Sequence, residues 1–261
     1  FPAFAVAAMY LTVKGMLYFG YVGVALPFLV AVLIGAACGS INAFFVWKFR
    51  MIPLIVTLGT GSMVRGFLLG VVGTSMINID RFPPVLIDFA RAEIFTVTRP
   101  DGTHSGLTAM VLIYFALALA VHLMLRYTMI GRSIFALGGG AEAATRVGFD
   151  LKKTIFFIYC LAGALAGFAG MLHCSMIWLA NPRDFVGTDL EVIAAVVLGG
   201  ASIFGGRGSV LGTMLGVFML VMVKNSLIIM KVDTTWQLVV VGSIIVVATA
   251  ATAWRDRRRQ A

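Results

Sequence analysis

Charge is scarce in this chain. Asp, Glu, Lys and Arg together make up 12% of its 261 residues, while 61% are hydrophobic. A soluble domain carries roughly 25% charged residues, so a water-exposed globular fold is excluded. The alternation of polar and apolar positions that a membrane β-barrel requires is also missing. What recurs instead is apolar runs near or above ~18 residues, the signature of helices that cross a bilayer. The expected fold is therefore all-α, a polytopic transmembrane helical bundle.

Other absences narrow the chemistry. There are three cysteines, Cys38, Cys160 and Cys174, each in an apolar segment and none in a CxxC pair. Such cysteines act as small hydrophobes, so no metal or redox site is expected. No Gly-Lys-Ser/Thr occurs anywhere. The glycines of Gly205-Gly206-Arg207-Gly208-Ser209-Val210-Leu211-Gly212 follow no strand and have the wrong spacing for a phosphate loop. Any ATP must be bound by a partner. His173-Cys174 has no carboxylate near it in sequence, and a nucleophile needs a positioned base and an orienting third group. The pair reads as structural, as do the lone His104 and His122, and with no catalytic constellation the chain is not expected to be an enzyme. The net charge of +9 raises nucleic acid as a partner, but the charges sit in loops between apolar runs and the membrane charge rule accounts for them. The chain opens on Phe1 without a charged, cleavable leader, and 1–13 reads as the end of a helix, so an N-terminal part is expected to be missing.

About eight membrane segments can be drawn: 1–13 (partial), 19–47, 53–74, 106–125, 154–178, 188–204, 209–230 and 235–253. A bilayer core of ~30 Å needs about 20 helical residues. Segment 19–47 is long enough to span with tilt, with Pro27 as a possible kink. Segment 188–204 is short, and both crossing and re-entry are open. The basic loop 126–153 (Arg126, Arg132, Arg146, Lys152, Lys153), the turn with Lys48 and Arg50, and the tail with Arg255, Arg257, Arg258 and Arg259 are assigned to the cytoplasm. Loop 75–105 balances Arg81, Arg91 and Arg99 against Asp80, Asp88, Glu93 and Asp101, and is assigned outside with loop 179–187.

Glycines at four-residue spacing, Gly35/Gly39, Gly163/Gly167 and Gly208/Gly212/Gly216, make smooth stripes for close helix packing or for sliding. Arg65 lies twelve residues beyond Pro53, roughly 18 Å along a helix, and must face protein or water there. A backbone carbonyl partner and a place on a solute pathway are both open. Lys224, near the outer end of its helix, can snorkel. Asp189 and Glu191 follow Asn181-Pro182 at an outer mouth, where they suit either a hydroxylated solute or helix capping. One polar island, Gly138 to Asp150, stands out for its small residues in fixed order, which suit a short helix fitting a partner's groove better than a soluble linker.

That island, Glu142-Ala143-Ala144-x-x-x-Gly148, resembles the Glu-Ala-Ala coupling loop of bacterial ABC-importer permeases. The run Arg126 to Gly139 into it, the stretches Gly187 to Gly200 and Phe204 to Thr213 after it, and Ile52-Pro53, Thr57-Leu58-Gly59 and Arg65-Gly66 before it are similar to the ribose-type branch, which carries simple sugars and autoinducers. The resemblance covers nearly the whole chain, and family members carry further N-terminal helices. In two places the chain departs from the pattern. The family usually has Asn before Glu-Ala-Ala, where Gly140-Ala141 stands here. It commonly has Glu-Leu-Asp where this chain reads Asp189-Leu190-Glu191.

The resemblance implies a single permease domain over 1–261 in the bacterial inner membrane, with 75–105 periplasmic and 126–153 the cytoplasmic coupling loop. It implies a second permease copy or paralogue, an ABC ATP-binding subunit, and a periplasmic binding protein delivering a small solute, most commonly a monosaccharide. ATP and Mg act through the partner, and this chain binds no cofactor itself. Glu142, Ala143, Ala144, Arg146 and Gly148 would seat in the ATPase. Arg65, Thr57, Asn181, Asp189 and Glu191 are pathway candidates, and Asp80, Asp88 and Glu93 would meet the binding protein. The other reading is a facilitator or channel that works alone.

Overall fold

A computed structural model describes residues 1–21, 23–98, 104–202, 205–233 and, apart from 238, 241, 245 and 247–249, residues 236–250. The basic tail from Arg255, the loop residues Arg99 and Asp101, Phe204 and part of 235–253 lie outside them. The described chain is helical apart from one hairpin, and six of its helices are long and apolar enough to cross a membrane. It divides into two compact units, one of residues 1–117 and 155–186, the other of 118–154 and 187–261.

The first unit is built around α1 (Pro2–Phe19). This helix is longer than the expected 1–13. Lys14 does not end it, because its ammonium donates to the Val72 carbonyl at 2.7 Å. That carbonyl lies at the end of α3 (Pro53–Phe67), whose last turn is a π-turn over Leu68–Val72. A cation placed there answers both the free carbonyl and the negative helix end. Phe4, Val6, Met9, Tyr10 and Val13 are all buried, so α1 is surrounded on every side up to Val13. Tyr10 completes the join by donating to the Ser75 carbonyl at 2.6 Å. Helix α2 (Ala25–Phe49) starts late enough to put Pro27 in its first turn, where the missing N–H costs nothing. Pro27 therefore opens this helix and does not kink it.

Helix α8 (Leu151–Ile177) packs antiparallel on α2 through facing glycines. A Cβ on Gly35 would overlap the Gly163 carbonyl, one on Gly163 the Gly35 carbonyl, and one on Gly167 the Ala31 carbonyl. The two stripes read from sequence are thus one seam, with backbones in direct contact. Beside it, buried Asn42 accepts a hydrogen bond from the Thr60 hydroxyl at 2.6 Å, tying α2 to α3.

The loop after α3 is structured. It holds a 3₁₀ turn (Ile79–Arg81), the amphipathic α4 (Pro84–Arg91), and an antiparallel hairpin of β1 (Glu93–Thr98) and β2 (His104–Thr108). Leu86 and Ala90 anchor α4 inward, and Ile77 pairs with Ala180. The two loops assigned outside are therefore joined at one end of the unit.

In the second unit, α9 (Thr188–Leu198) runs antiparallel to α10 (Val210–Ile229). Eleven residues reach only about 16 Å. Even so, α9 leads from Glu191, beside Lys224, to Gly199, which sits against Gly212 near the start of α10. The described part of segment 188–204 thus follows most of its neighbour's length with a short helix and a turn.

Candidate functional site

The polar island folds as a helix with shaped exits. Helix α5 (Ala109–Tyr127) ends in Thr128, whose hydroxyl accepts from the Gly131 amide at 3.1 Å and caps α6 (Met129–Gly139). Such a cap is worth about 1 kcal/mol. Gly131 is required, since any Cβ would strike the Leu125 carbonyl. Gly140 then separates α6 from α7 (Ala141–Arg146), a six-residue helix. The extra Gly140-Ala141 is absorbed here: Gly140 is the N-cap, and Ala141 begins α7, its carbonyl accepting from the Thr145 hydroxyl. Glu142 lies in the first turn and Arg146 in the last, each matched to the helix dipole.

Only Ala144 of α7 is buried, while Glu142, Ala143, Thr145, Arg146 and Gly148 are exposed and Val147 is 78% exposed. Gly148 takes φ +93, a conformation that L side chains rarely adopt, and turns the chain toward α8. There Asp150 accepts from the Lys153 amide at 3.1 Å, which holds its carboxyl below the usual range. The Thr154 hydroxyl reaches Ser133 Oγ at 3.3 Å, binding the start of α8 back to α6. Of the five residues expected to seat in a partner, Glu142, Ala143, Arg146 and Gly148 are thus exposed together, while Ala144 faces inward and is buried.

The docking and pathway candidates fall into separate settings. Asp80, Asp88 and Glu93 are all exposed on the structured loop. Arg65 donates from Nη2 to the Phe185 carbonyl at 3.2 Å, the backbone partner that was one of its two readings. Thr57 bonds the Leu54 carbonyl at 3.1 Å, and Asn181 Oδ1 accepts from the Arg183 amide at 3.0 Å. Asp189 is half-buried in the first turn of α9. Glu191 is paired with Lys224 at 2.8 Å, so this lysine does not simply snorkel to the surface.

Two features were not legible in the sequence. Asp184 comes within 3.7 Å of His173 across the loop after α8, supplying the carboxylate that seemed to be missing near that histidine. Burial pushes the Asp184 carboxyl up, with His173 and Asn181 pulling against the shift. Neighbouring Cys174 donates to the Met171 carbonyl and is buried, so no nucleophile is assembled. The second feature is the Asn42–Thr60 bond; an Asn inside an apolar run was the available signal. Among the described residues no cluster of His, Cys, Asp or Glu could hold a metal.

Comparison with known proteins agrees with this architecture. The chain is 34% identical over 246 residues to the ribose import permease protein RbsC of Escherichia coli, covering 91% of this chain and 73% of that one. It is 31% identical over 228 residues to the D-allose transport system permease protein AlsC of Escherichia coli, covering 86% and 66%. It is also 31% identical over 232 residues to the L-arabinose ABC transporter permease protein AraH of Azospirillum brasilense, covering 88% and 64%. The chain therefore spans roughly two thirds to three quarters of these relatives' own length. No solved structure matches it. The family model described as branched-chain amino acid transport system / permease component matches residues 2–249, and the chain belongs to that family of membrane permeases, in its ribose-type ABC branch.

Proposed function

We propose that this chain is the membrane permease subunit of an ATP-driven importer in a bacterial inner membrane, and that its cargo is a monosaccharide. The observation that carries the reading is α7, a six-residue helix with exposed Glu142, Ala143 and Arg146, held on a rigid stem. Such an element can receive force from a nucleotide-binding partner. This fits a chain without a phosphate loop of its own. The family's printed description names branched-chain amino acids, whereas the similar permeases above are named for ribose, allose and arabinose. Overall similarity across most of the chain favours the sugar.

Two ATP-binding subunits would hold the α7 helices of a permease pair and close on ATP. The permeases would then shift between outward- and inward-open states, because the closed ATPase binds one state better. Sugar would arrive on a periplasmic binding protein seated on loop 75–105. Arg65, Thr57, Asn181 and Asp189 remain pathway candidates; they would make weak contacts and leave most selectivity to the binding protein.

The decisive experiment is reconstitution with the cognate ATP-binding subunit and binding protein. Uptake of labelled D-ribose, D-allose or L-arabinose should require ATP, and the ATP-binding subunit should copurify. Downhill flux through the permease alone would favour the stand-alone facilitator. A second measurement tests the docking surface. Changing Asp80, Asp88 and Glu93 together to Lys should lower binding-protein-stimulated ATPase by roughly tenfold at low salt, since reversed charges act on encounter. Unchanged stimulation would remove that loop from the interface.

A further inference from the structure

We infer that Lys224 and Glu191 are positioning residues which make α9 and α10 move as one piece, so that displacement of the coupling helix reaches the outer end of α9. The inference rests on the reading of Glu142 to Gly148 as the coupling element and adds where its motion goes.

All the parts lie in the second unit. At its inner end the stem of α7 touches the α9–α10 connection backbone to backbone. A Cβ on Gly138 would overlap the Gly206 amide, and a Cβ on Gly205 would lie 2.6 Å from the Gly138 carbonyl oxygen. Among the described residues this contact is glycine on glycine, and close-packed elements transmit displacement without slack. From there the chain enters α10 at Ser209, whose hydroxyl caps the helix by accepting from Gly212 at 3.0 Å. Gly212 and Gly216 then press on Ala195 of α9 and on Gly199 just past its end, again backbone on backbone.

Glycine contacts resist compression but not separation. The outer end needs a tie, and the Lys224–Glu191 pair at 2.8 Å provides it. Both side chains are largely covered, at 33% and 22% exposure, and α10 is long and apolar enough to cross a membrane. Separating them would leave two partly covered charges without their partner, which favours keeping the pair closed as the helices move. The hairpin is thus pushed at its inner end by glycine contacts and held at its outer end by charge. Leu190, beside Glu191 and 66% exposed, reports on that outer end.

The test uses the assembled transporter with Cys38, Cys160 and Cys174 replaced by Ala. Single cysteines at Val147 and, separately, Leu190 are labelled with a methanethiosulfonate reagent, with and without ATP plus vanadate. Both labelling rates should change in the parent, the Leu190 site by roughly three- to thirtyfold, the range expected of coupled sites. In Lys224→Met the Val147 response should persist and the Leu190 response should vanish. Exchanging the charges, Glu191→Lys with Lys224→Glu, should restore it. If Lys224→Met fails to assemble, Lys224→Met with Glu191→Gln replaces it and leaves no unpaired charge. An undiminished Leu190 response in the neutral variant overturns the inference. A parent in which Val147 itself ignores ATP overturns the coupling-helix reading instead.

Discussion

Replacing Gly148 by Trp should cut ATP-driven uptake by roughly a hundredfold, the scale on which small misplacements at a working site are felt. Three structural facts converge on that position. Gly148 holds φ +93, where any L residue is strained by about 1–3 kcal/mol. It is exposed beside Val147, on the projecting end of the polar island, so an indole would stand in the surface that a partner must cover. It also sets the turn into α8, whose first residues are tied back by Asp150 and Thr154. The variant should still insert in the membrane, because no atom lies within 4 Å of the Cβ position and no packing is lost. Copurification of the ATP-binding subunit should fall together with uptake. Gly148→Ala keeps the strain without the bulk and should lie between the two. Intact uptake and assembly in Gly148→Trp would disprove the coupling role of this turn.

The largest stability effect is expected at the α2–α8 seam. In Gly163→Leu the first added carbon already overlaps the Gly35 carbonyl, and the rest of the side chain has Gly39 in its way. Overpacking of this kind costs about 1–3 kcal/mol when neighbours can yield, and more when backbone must move. Here the obstacle is helix backbone, so the two helices must part along their whole contact. The protein should fall to low yield in membranes, with a lowered midpoint in a thermal-stability assay in detergent. Gly66→Ala is the control: its Cβ would meet nothing within 4 Å, on a helix that is mostly exposed. Equal behaviour of the two variants would mean that the seam does not hold the first unit together.

The two predictions differ in how much of their basis was visible beforehand. The short polar helix α7 is local. Small residues, a glycine at each end and charges matched to the helix ends lie within about a dozen consecutive positions, so pattern alone located it. The glycine stripes were visible as spacing, but which stripe meets which was not. Gly35 and Gly163 are far apart in sequence, and Gly212 found its partner at Gly199, outside any four-residue repeat. Charged residues inside helices were the least legible. Lys14 lies just past the expected segment 1–13, yet it sits within α1 and serves the carbonyl of Val72. Lys224 appeared free to reach the surface, yet it is tied to Glu191. His173 seemed to lack a carboxylate until the chain turned back at Asp184.

By itself, the sequence determined the membrane-spanning helical class, the place of the short polar helix and the family resemblance. These follow from hydropathy, length and local order, all of which act between near neighbours along the chain. The tertiary structure alone decided which backbones touch, which charges pair, and that α9 tracks its neighbour with eleven residues and a turn. Those outcomes depend on distance in space. In an apolar medium each buried polar group must find a partner wherever the fold brings one, and spacing in sequence carries no record of that choice.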